Sequence, residues 1–175
     1  MKLTNLPPGT KQFEEVAKHI TTSYPNACVM FIEKIDDHPN ESAFQALKET
    51  MTDPTEKILF HGTTESGAYS IAAHGYDPLL NKRAAFGKGT YFSANAIYSK
   101  HYMDITHTRS GFELSYMLLN KVLVGRMKIG SPNKEIDLSK ADTQVDSLAN
   151  PTIFAVPRAE QAIPIYLVAF HKNAT

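Results

Sequence analysis

The chain has 175 residues, of which 42% are apolar and 21% charged, which fits one ordinary globular domain better than two. Lysine plus arginine equals aspartate plus glutamate at 18 each, so there is no basic excess of the kind that nucleic-acid-binding proteins usually carry. The single cysteine, Cys28, excludes an intrachain disulfide, and no stretch approaches the roughly 20 apolar residues of a membrane span.

The first part of the chain predicts a helix, a strand and a second helix. Thr10 has the hydroxyl of a helix N-cap, and it precedes apolar residues at helical spacing, which are Phe13, Val16, Ala17 and Ile20. Residues 29–35 predict a strand with Val29 and Phe31 on one face, and Met30 and Ile32 on the other. Ser42 is the expected cap of the second helix.

From residue 57 onward the pattern becomes rich in strands. Residues 57–60 predict a short buried strand that ends at His61-Gly62-Thr63. Residues 64–74 predict a helix with Gly75 at its C-terminal cap, and a polar loop follows over 76–86.

The second half of the chain continues with strands and one more short helix. Residues 89–92 predict a strand, and Asn95 is a candidate cap for a helix over 96–103. Residues 113–129 fit a long strand or a helix, because their periodicity does not separate the two. Residues 130–151 predict a loop. The last predicted strands cover 152–156 and 164–170, so the expected class is α+β.

Three short motifs carry candidate chemistry, and each has a plainer explanation. Leu59-Phe-His-Gly-Thr63 places an imidazole at a strand end beside a glycine that a ligand can approach, although a strand end followed by a turn explains it as well. Phe86-Gly-Lys-Gly-Thr-Tyr-Phe92 fails the phosphate-loop pattern, since Lys82 stands where its first glycine belongs. The segment also contains Tyr91, and on this motif by itself the simpler explanation is that Tyr91 is an aromatic residue of the core.

The third motif pairs Ser99 with Tyr102. The two residues are three positions apart and share one face if the segment is helical. A hydroxyl beside an aromatic ring suits a flat ligand ring that carries an amide, whereas an amphipathic helix with a buried tyrosine is the alternative.

Taken in order and spacing, these motifs resemble the catalytic signature of the PARP superfamily, whose members share the diphtheria-toxin-like ADP-ribosyltransferase fold. Residues 150–170 resemble the last two strands of that family. Residues 31–35 and 44–51 resemble the strand and helix that open the domain in mono-transferring members. The resemblance implies a single catalytic domain over residues 1–175, with split antiparallel-type sheets, flanking short helices and no regulatory helical domain.

The resemblance also implies roles for individual residues toward NAD⁺. His61 matches the histidine that bonds a ribose hydroxyl, Gly62 the glycine whose backbone holds the nicotinamide amide, and Thr63 a contact to the adenosine ribose. Tyr91 matches a member of the catalytic triad. The remaining implied NAD⁺ contacts are Ser99 to the nicotinamide carbonyl, Tyr102 as a stacking ring, and Asp77 and Arg83 in the loop that covers the donor.

The third triad position is the point where this chain departs from polymer-forming members. Those members have a glutamate eight residues before a glutamine, and counting back from Gln161 gives Ile153. Ile165, within Pro-Ile-Tyr, is the alternative, but the glutamate of the relatives' Pro-Glu-Tyr is not the triad residue. The predicted triad is therefore His61, Tyr91 and Ile153, and nothing suggests that Glu160 substitutes for the missing carboxylate.

The function that the resemblance implies is mono-ADP-ribosyl transfer from NAD⁺ to a protein acceptor, through Asp or Glu side chains and with release of nicotinamide. We expect a monomer that can modify itself, intracellular in the cytoplasm or nucleus, with no membrane partner. Partner choice would lie in surface loops such as 104–112 and 130–150.

Several alternatives stay open at this point. The first is an NAD- or ADP-ribose-binding module without useful turnover. The second is transfer to nucleic-acid ends. An arginine-specific toxin type is disfavoured, because its Gln/Glu-x-Glu motif occurs only at Gln12-Phe-Glu14, in the first helix. The RNA 2′-phosphotransferase branch is disfavoured by the neutral charge. His101, Asp104 and His107 do not form a HExxH pair, so we expect no metal.

Overall fold

The computed structural model describes residues 1–82, 84–99, 106–107 and 113–172. In chain order the elements are β1 Lys2–Leu6, α1 Lys11–Ser23, β2 Ala27–Asp36, α2 Glu41–Thr50, β3 Glu56–Thr63, α3 Glu65–His74, β4 Thr90–Ser93, α4 Ala96–Ser99, β5 Thr106–His107, β6 Glu113–Leu123, β7 Met127–Ile129, β8 Thr143–Val145, β9 Ile153–Val156 and β10 Ala162–Lys172. Short 3₁₀ turns lie at Pro78–Leu80 and Ala159–Gln161. No helix in these ranges is long and apolar enough to cross a membrane.

The strands form a mostly antiparallel sheet in the order β1-β2-β10-β6-β3-β4-β9-β8-β7, with β5 paired to β6. Strands β7 and β8 run parallel. Strand β3 pairs with β6 along its whole length, but it shares with β4 the single register pair Phe60 and Ser93. We call this junction the seam. The predicted α+β class, with a mostly antiparallel sheet and short helices, is confirmed, but the strands form one continuous sheet that narrows to a single register pair at the seam.

Helices α1 and α3 cover opposite faces of the central strands. Thr10 caps α1 as predicted, since its Oγ1 accepts from the Phe13 N–H at 3.3 Å. The buried face of α1 packs with Met117 and Val168, whereas α3 packs with Leu118 and Leu167 on the other side. Burial on both faces explains the apolar run at residues 113–129, which forms strands β6 and β7.

The predicted alternation along β2 is wrong at one position. Phe31 pairs with Ala169, but the next pair is Val29 with Phe170, so Met30 is an extra residue in the strand. This bulge turns Val29 to the α1 side, whereas Phe31 packs on the α3 side. Met30 is left 40% exposed.

The predicted cap of α2 is also wrong, because the helix begins one residue before Ser42. Asn40 is the N-cap residue, and its backbone N–H donates to Nδ1 of the buried His38 at 3.1 Å. The opposite ring nitrogen, Nε2, lies 3.1 Å from the Ile71 carbonyl oxygen. A carbonyl only accepts, so His38 is neutral with its proton on Nε2, and it joins the start of α2 to α3.

The loop predicted over 130–151 contains a strand, β8. All three of its residues are buried, and two of them are polar, Thr143 and Gln144. The amide of Gln144 donates to the Lys134 carbonyl at 3.1 Å. A three-residue strand with buried polar side chains has no apolar alternation, which is the signal that sequence reasoning uses.

Candidate active site

The seam between β3 and β4 opens into two adjoining cavities. The smaller, of about 10 Å³, is lined by His61, Gly62, Tyr91 and Ile153, together with Phe60, Phe92 and Ser93. The larger, of about 490 Å³, is lined on the same strands by His61, Gly62, Thr63 and Tyr91, and on the facing side by α3 and the loop that follows it. The three residues of the predicted triad therefore surround one space.

The His61 imidazole is fixed through a backbone contact across the seam. Its Nδ1 lies 2.8 Å from the Tyr91 carbonyl oxygen, which can only accept, so the proton is on Nδ1. Burial lowers the pKa of His61 below its usual value, and the bond to Tyr91 opposes this only in part. His61 is thus neutral near pH 7, and its Nε2 is a hydrogen-bond acceptor.

Two aromatic rings hold the imidazole from its sides. Tyr76 meets it edge to face at 5.1 Å between ring centroids, and Phe92 lies 5.6 Å away. The Tyr76 hydroxyl donates to Oδ1 of Asn120 at 2.5 Å. Asn120 is fully buried in β6, and its Nδ2 donates to the carbonyls of Leu59 and Leu118, each at 3.1 Å.

Tyr91 is buried, and its hydroxyl is bound to the glycine-rich loop before β4. The hydroxyl donates to the Gly87 carbonyl at 2.7 Å and accepts from the Phe86 N–H at 2.8 Å. Gly89 has φ +146°, and a Cβ there would lie 2.5 Å from the Val156 carbonyl oxygen. Its lack of a side chain lets this loop approach β9 closely.

Thr63 and Asp77 both line the larger cavity. Thr63 ends β3 against α3, so closely that a Cβ on Gly67 would lie 2.4 Å from its Oγ1. Asp77 follows α3 and begins the 3₁₀ turn Pro78–Leu80, where its Oδ1 accepts from the Leu79 N–H at 3.0 Å. Both predicted positions therefore border the space that His61 also lines.

Ile153 begins β9, and its half-buried side chain borders the smaller cavity. Its backbone N–H donates to Oδ1 of Asp146 at 3.0 Å. The same carboxylate accepts from the Thr152 N–H at 2.9 Å and from the Thr152 hydroxyl at 2.5 Å. Burial raises the pKa of Asp146, but these hydrogen bonds outweigh it and leave the pKa below its usual value. Asp146 is therefore ionised.

Comparison with known proteins identifies the family to which the chain belongs. A model described as the poly(ADP-ribose) polymerase catalytic domain matches residues 10–152, most of the chain. The chain belongs to this family. The matched range contains His61 and Tyr91 and ends one residue before Ile153, so it does not cover the third triad position.

Relatives of this PARP catalytic domain are mono-ADP-ribosyltransferases by name. The chain is 30% identical to mouse PARP11 over 97% of its own length and 60% of that protein. It is 35% identical to human PARP11 over 66% of its length and 41% of that protein. It is also 29% identical to human PARP14, over 97% of its length and 10% of that protein. The chain thus spans three fifths or less of these relatives.

Some predicted site residues fall outside the described ranges. Arg83 and Tyr102 do so, and Ser99 is described only as the last backbone position of α4. In the ranges that are described, no three His, Cys, Asp or Glu side chains are grouped as metal ligands. His101 and Asp104 also lie outside them, and His107 is described only as a backbone position in β5.

Sequence reasoning missed Tyr76, Asn120 and Asp146. A sequence signal existed for Asn120, because it is an uncharged polar residue within the mostly apolar segment 116–124. The structure shows that it is fully buried there. A buried polar side chain in such a run requires a partner, which for Asn120 is the Tyr76 hydroxyl.

Proposed function

We propose that this PARP catalytic domain transfers single ADP-ribose units from NAD⁺ to a protein acceptor and releases nicotinamide. The observation that carries the proposal is the shared space lined by His61, Gly62, Tyr91 and Ile153. We infer that Ile153 puts a hydrocarbon where polymer-forming members have a carboxylate. The names of the relatives support it. The cavity of about 490 Å³ beside this space is large enough for part of a dinucleotide.

The donor must be held so that its nicotinamide–ribose bond can break. This bond joins a cationic pyridine ring to the ribose, and the ribose becomes oxocarbenium-like as the neutral nicotinamide leaves. The unprotonated Nε2 of His61 is suited to accept a hydrogen bond from a ribose hydroxyl. The backbone of Gly62 and the ring of Tyr91 border the same space and are assigned to the nicotinamide. Fixing both groups reduces the entropy cost of reaching the transition state.

The third triad position determines what can attack. A glutamate would stabilise the cationic ribose and activate the hydroxyl of a growing ADP-ribose chain. Ile153 does neither, and the Asp146 carboxylate next to it accepts hydrogen bonds from Thr152 and Ile153. An acceptor Asp or Glu side chain needs no base and brings its own negative charge. We therefore propose transfer to carboxylates without elongation, at a rate about 10² to 10³ below that of a site with the glutamate.

The test is incubation of the purified protein with NAD⁺, followed by intact-protein mass spectrometry and an assay for free nicotinamide. We expect nicotinamide release and mass increments of single ADP-ribose units. Peptide mapping is expected to place them on Asp or Glu. His61→Gln should abolish both signals, whereas His19→Gln, a matched change on the exposed side of α1, should leave them unchanged.

A binding module without turnover is the second candidate, and the hydrocarbon at position 153 is the observation that favours it. It predicts saturable binding of NAD⁺ or ADP-ribose with no free nicotinamide and no labelled protein. Labelling of added RNA or DNA ends, with unlabelled protein, would instead assign nucleic acid as the acceptor.

A further inference from the structure

The hydrogen bond between His61 and Tyr91 does not by itself fix the imidazole. It holds one atom, Nδ1, so the ring keeps some torsional freedom about its Cα–Cβ and Cβ–Cγ bonds. The aromatic contacts remove this freedom, because Tyr76 and Phe92 lie against the ring at 5.1 and 5.6 Å.

Tyr76 is itself held in place from behind. Its hydroxyl donates to Asn120, which is 0% exposed and bonded to two backbone carbonyls of the central strands. Its ring also packs edge to face on Phe92 at 4.9 Å. Burial raises the pKa of the Tyr76 phenol well above its usual value, so the hydroxyl keeps its proton and stays a donor. These contacts therefore fix the position of the Tyr76 ring, and the ring also lines the larger cavity.

We propose that Tyr76 is a positioning residue, which fixes the plane of the His61 imidazole and excludes water from one side of it. The role goes through His61 and requires no contact between Tyr76 and NAD⁺. The expected effect of Tyr76 on the reaction rate rests on the proposed transferase function. The expected effect of Tyr76 on the orientation and pKa of His61 does not.

Replacing Tyr76 with leucine tests the role because it removes the ring and exposes more of the half-buried imidazole to water in the cavity that His61 already lines. Burial is the main cause of the low pKa of His61, so this pKa should rise toward 6.5 in the variant. The other titratable groups that line this cavity are His74, Asp77 and Tyr91. None of them is altered by the substitution.

Two further variants separate positioning from a general loss of stability. Tyr76→Phe keeps the ring and deletes only the hydroxyl, so it should unfold at a lower temperature, because Asn120 Oδ1 loses its donor, and should keep the wild-type behaviour of His61. Tyr24→Leu is the matched control. Tyr24 and Tyr76 are both 6% exposed, but Tyr24 packs on Phe170 on the opposite face of the sheet.

The experiment is NMR titration of ¹⁵N-labelled histidines in the full chain, with His61 assigned from the signal that His61→Gln lacks, together with kcat/KM for nicotinamide release against pH. In Tyr76→Leu we expect a higher pKa for His61, an acid limb of kcat/KM shifted by the same amount, and kcat/KM lowered about 10²-fold. Tyr76→Phe and Tyr24→Leu should show none of these changes.

A wild-type pKa for His61 in Tyr76→Leu, or an equal shift in Tyr24→Leu, would overturn the positioning role. A wild-type protein that releases no nicotinamide would instead overturn the transferase proposal, and the titration would still decide the role of Tyr76.

Discussion

Ile153 lies beside the small cavity with His61 and Tyr91, and its backbone N–H donates to the Asp146 carboxylate. The side chain is thus the one member of the predicted triad without a polar atom. Under the proposed function, a carboxylate at this position would face the ribose and stabilise the developing positive charge.

We therefore expect Ile153→Glu to raise the rate of nicotinamide release, by up to about 10²-fold. Ile153→Leu, which keeps the hydrocarbon and nearly the same volume, should stay at the wild-type rate. Steady-state release from NAD⁺ measures both. Equal rates for the Glu and Leu variants would show that this position does not face the reacting ribose.

The linear motifs locate His61, Tyr91 and Ile153 well enough that all three line one cavity. They are found because each occupies a fixed place in a pattern of order and spacing. Tyr76 and Asn120 are not found, because their bond joins residues 44 positions apart, and only the folded sheet brings them together. The protonated nitrogen of His61 is likewise decided by the Tyr91 carbonyl, 30 positions away.

At the scale of elements, the connection between β8 and β9 depends on Asp146. The carboxylate accepts three hydrogen bonds from Thr152 and Ile153, and the Asp146 N–H donates to the Ile153 carbonyl at 3.3 Å. These bonds close the turn over residues 146–152 and set where β9 starts.

We expect Asp146→Ala to destabilise the fold by about 1–3 kcal/mol, since it leaves partly buried N–H groups without an acceptor. Asp137→Ala is the matched control. Asp137 makes similar bonds to the Ser139 N–H and hydroxyl, at 3.0 and 2.6 Å, but at an exposed turn, so its loss should cost less. Urea unfolding measures both, and equal losses would contradict the role given to Asp146.

The loop before β4 supports a second comparison, between two glycines that both have positive φ. Gly9 has φ +84° and open space around its missing Cβ, whereas Gly89 has φ +146° and the Val156 carbonyl oxygen 2.5 Å from that position. Alanine at either site carries backbone strain of about 1–3 kcal/mol. Only Gly89→Ala adds a clash with backbone, so it should lower the free energy of unfolding more than Gly9→Ala does. The reverse order in urea unfolding would be inconsistent with the close approach of this loop to β9.

At the scale of the whole molecule, the sheet order could not be read from the sequence. The last strand, β10, lies between β2 and β6, and β3 lies on the other side of β6. Long-range pairings such as Ala162 with Val122 leave no local trace in composition or periodicity. The class α+β was accessible because it depends on which segments are helical or extended, and not on which strands meet.

The pH dependence of stability is a property of the whole chain. The pKa values of His61 and His38 are both lowered, chiefly by burial, so below about pH 6.5 the unfolded chain takes up protons that the folded chain resists. Stability should therefore fall as the pH drops from about 6.5 toward the folded-state pKa values.

Urea unfolding of the full chain between pH 5 and 8 measures this slope. His61→Gln should remove its share of the slope, whereas His19→Gln, at an exposed position, serves as the control. A slope unchanged by His61→Gln would contradict a neutral, half-buried imidazole whose pKa is lowered at this site.

The seam between β3 and β4 is a weakly connected junction in the sheet. Within the described residues, a single register pair between β3 and β4 joins two parts of the sheet. One part has the strand order β1-β2-β10-β6-β3, and the other has the order β4-β9-β8-β7. The hydrogen bond from His61 to the Tyr91 carbonyl also connects β3 to β4. It is made by a side chain, beside the single main-chain register pair of these two strands. Under the proposed function, the same imidazole would also accept a hydrogen bond from the donor ribose, so a substitution at His61 is expected to affect both the junction of the sheet and the reaction.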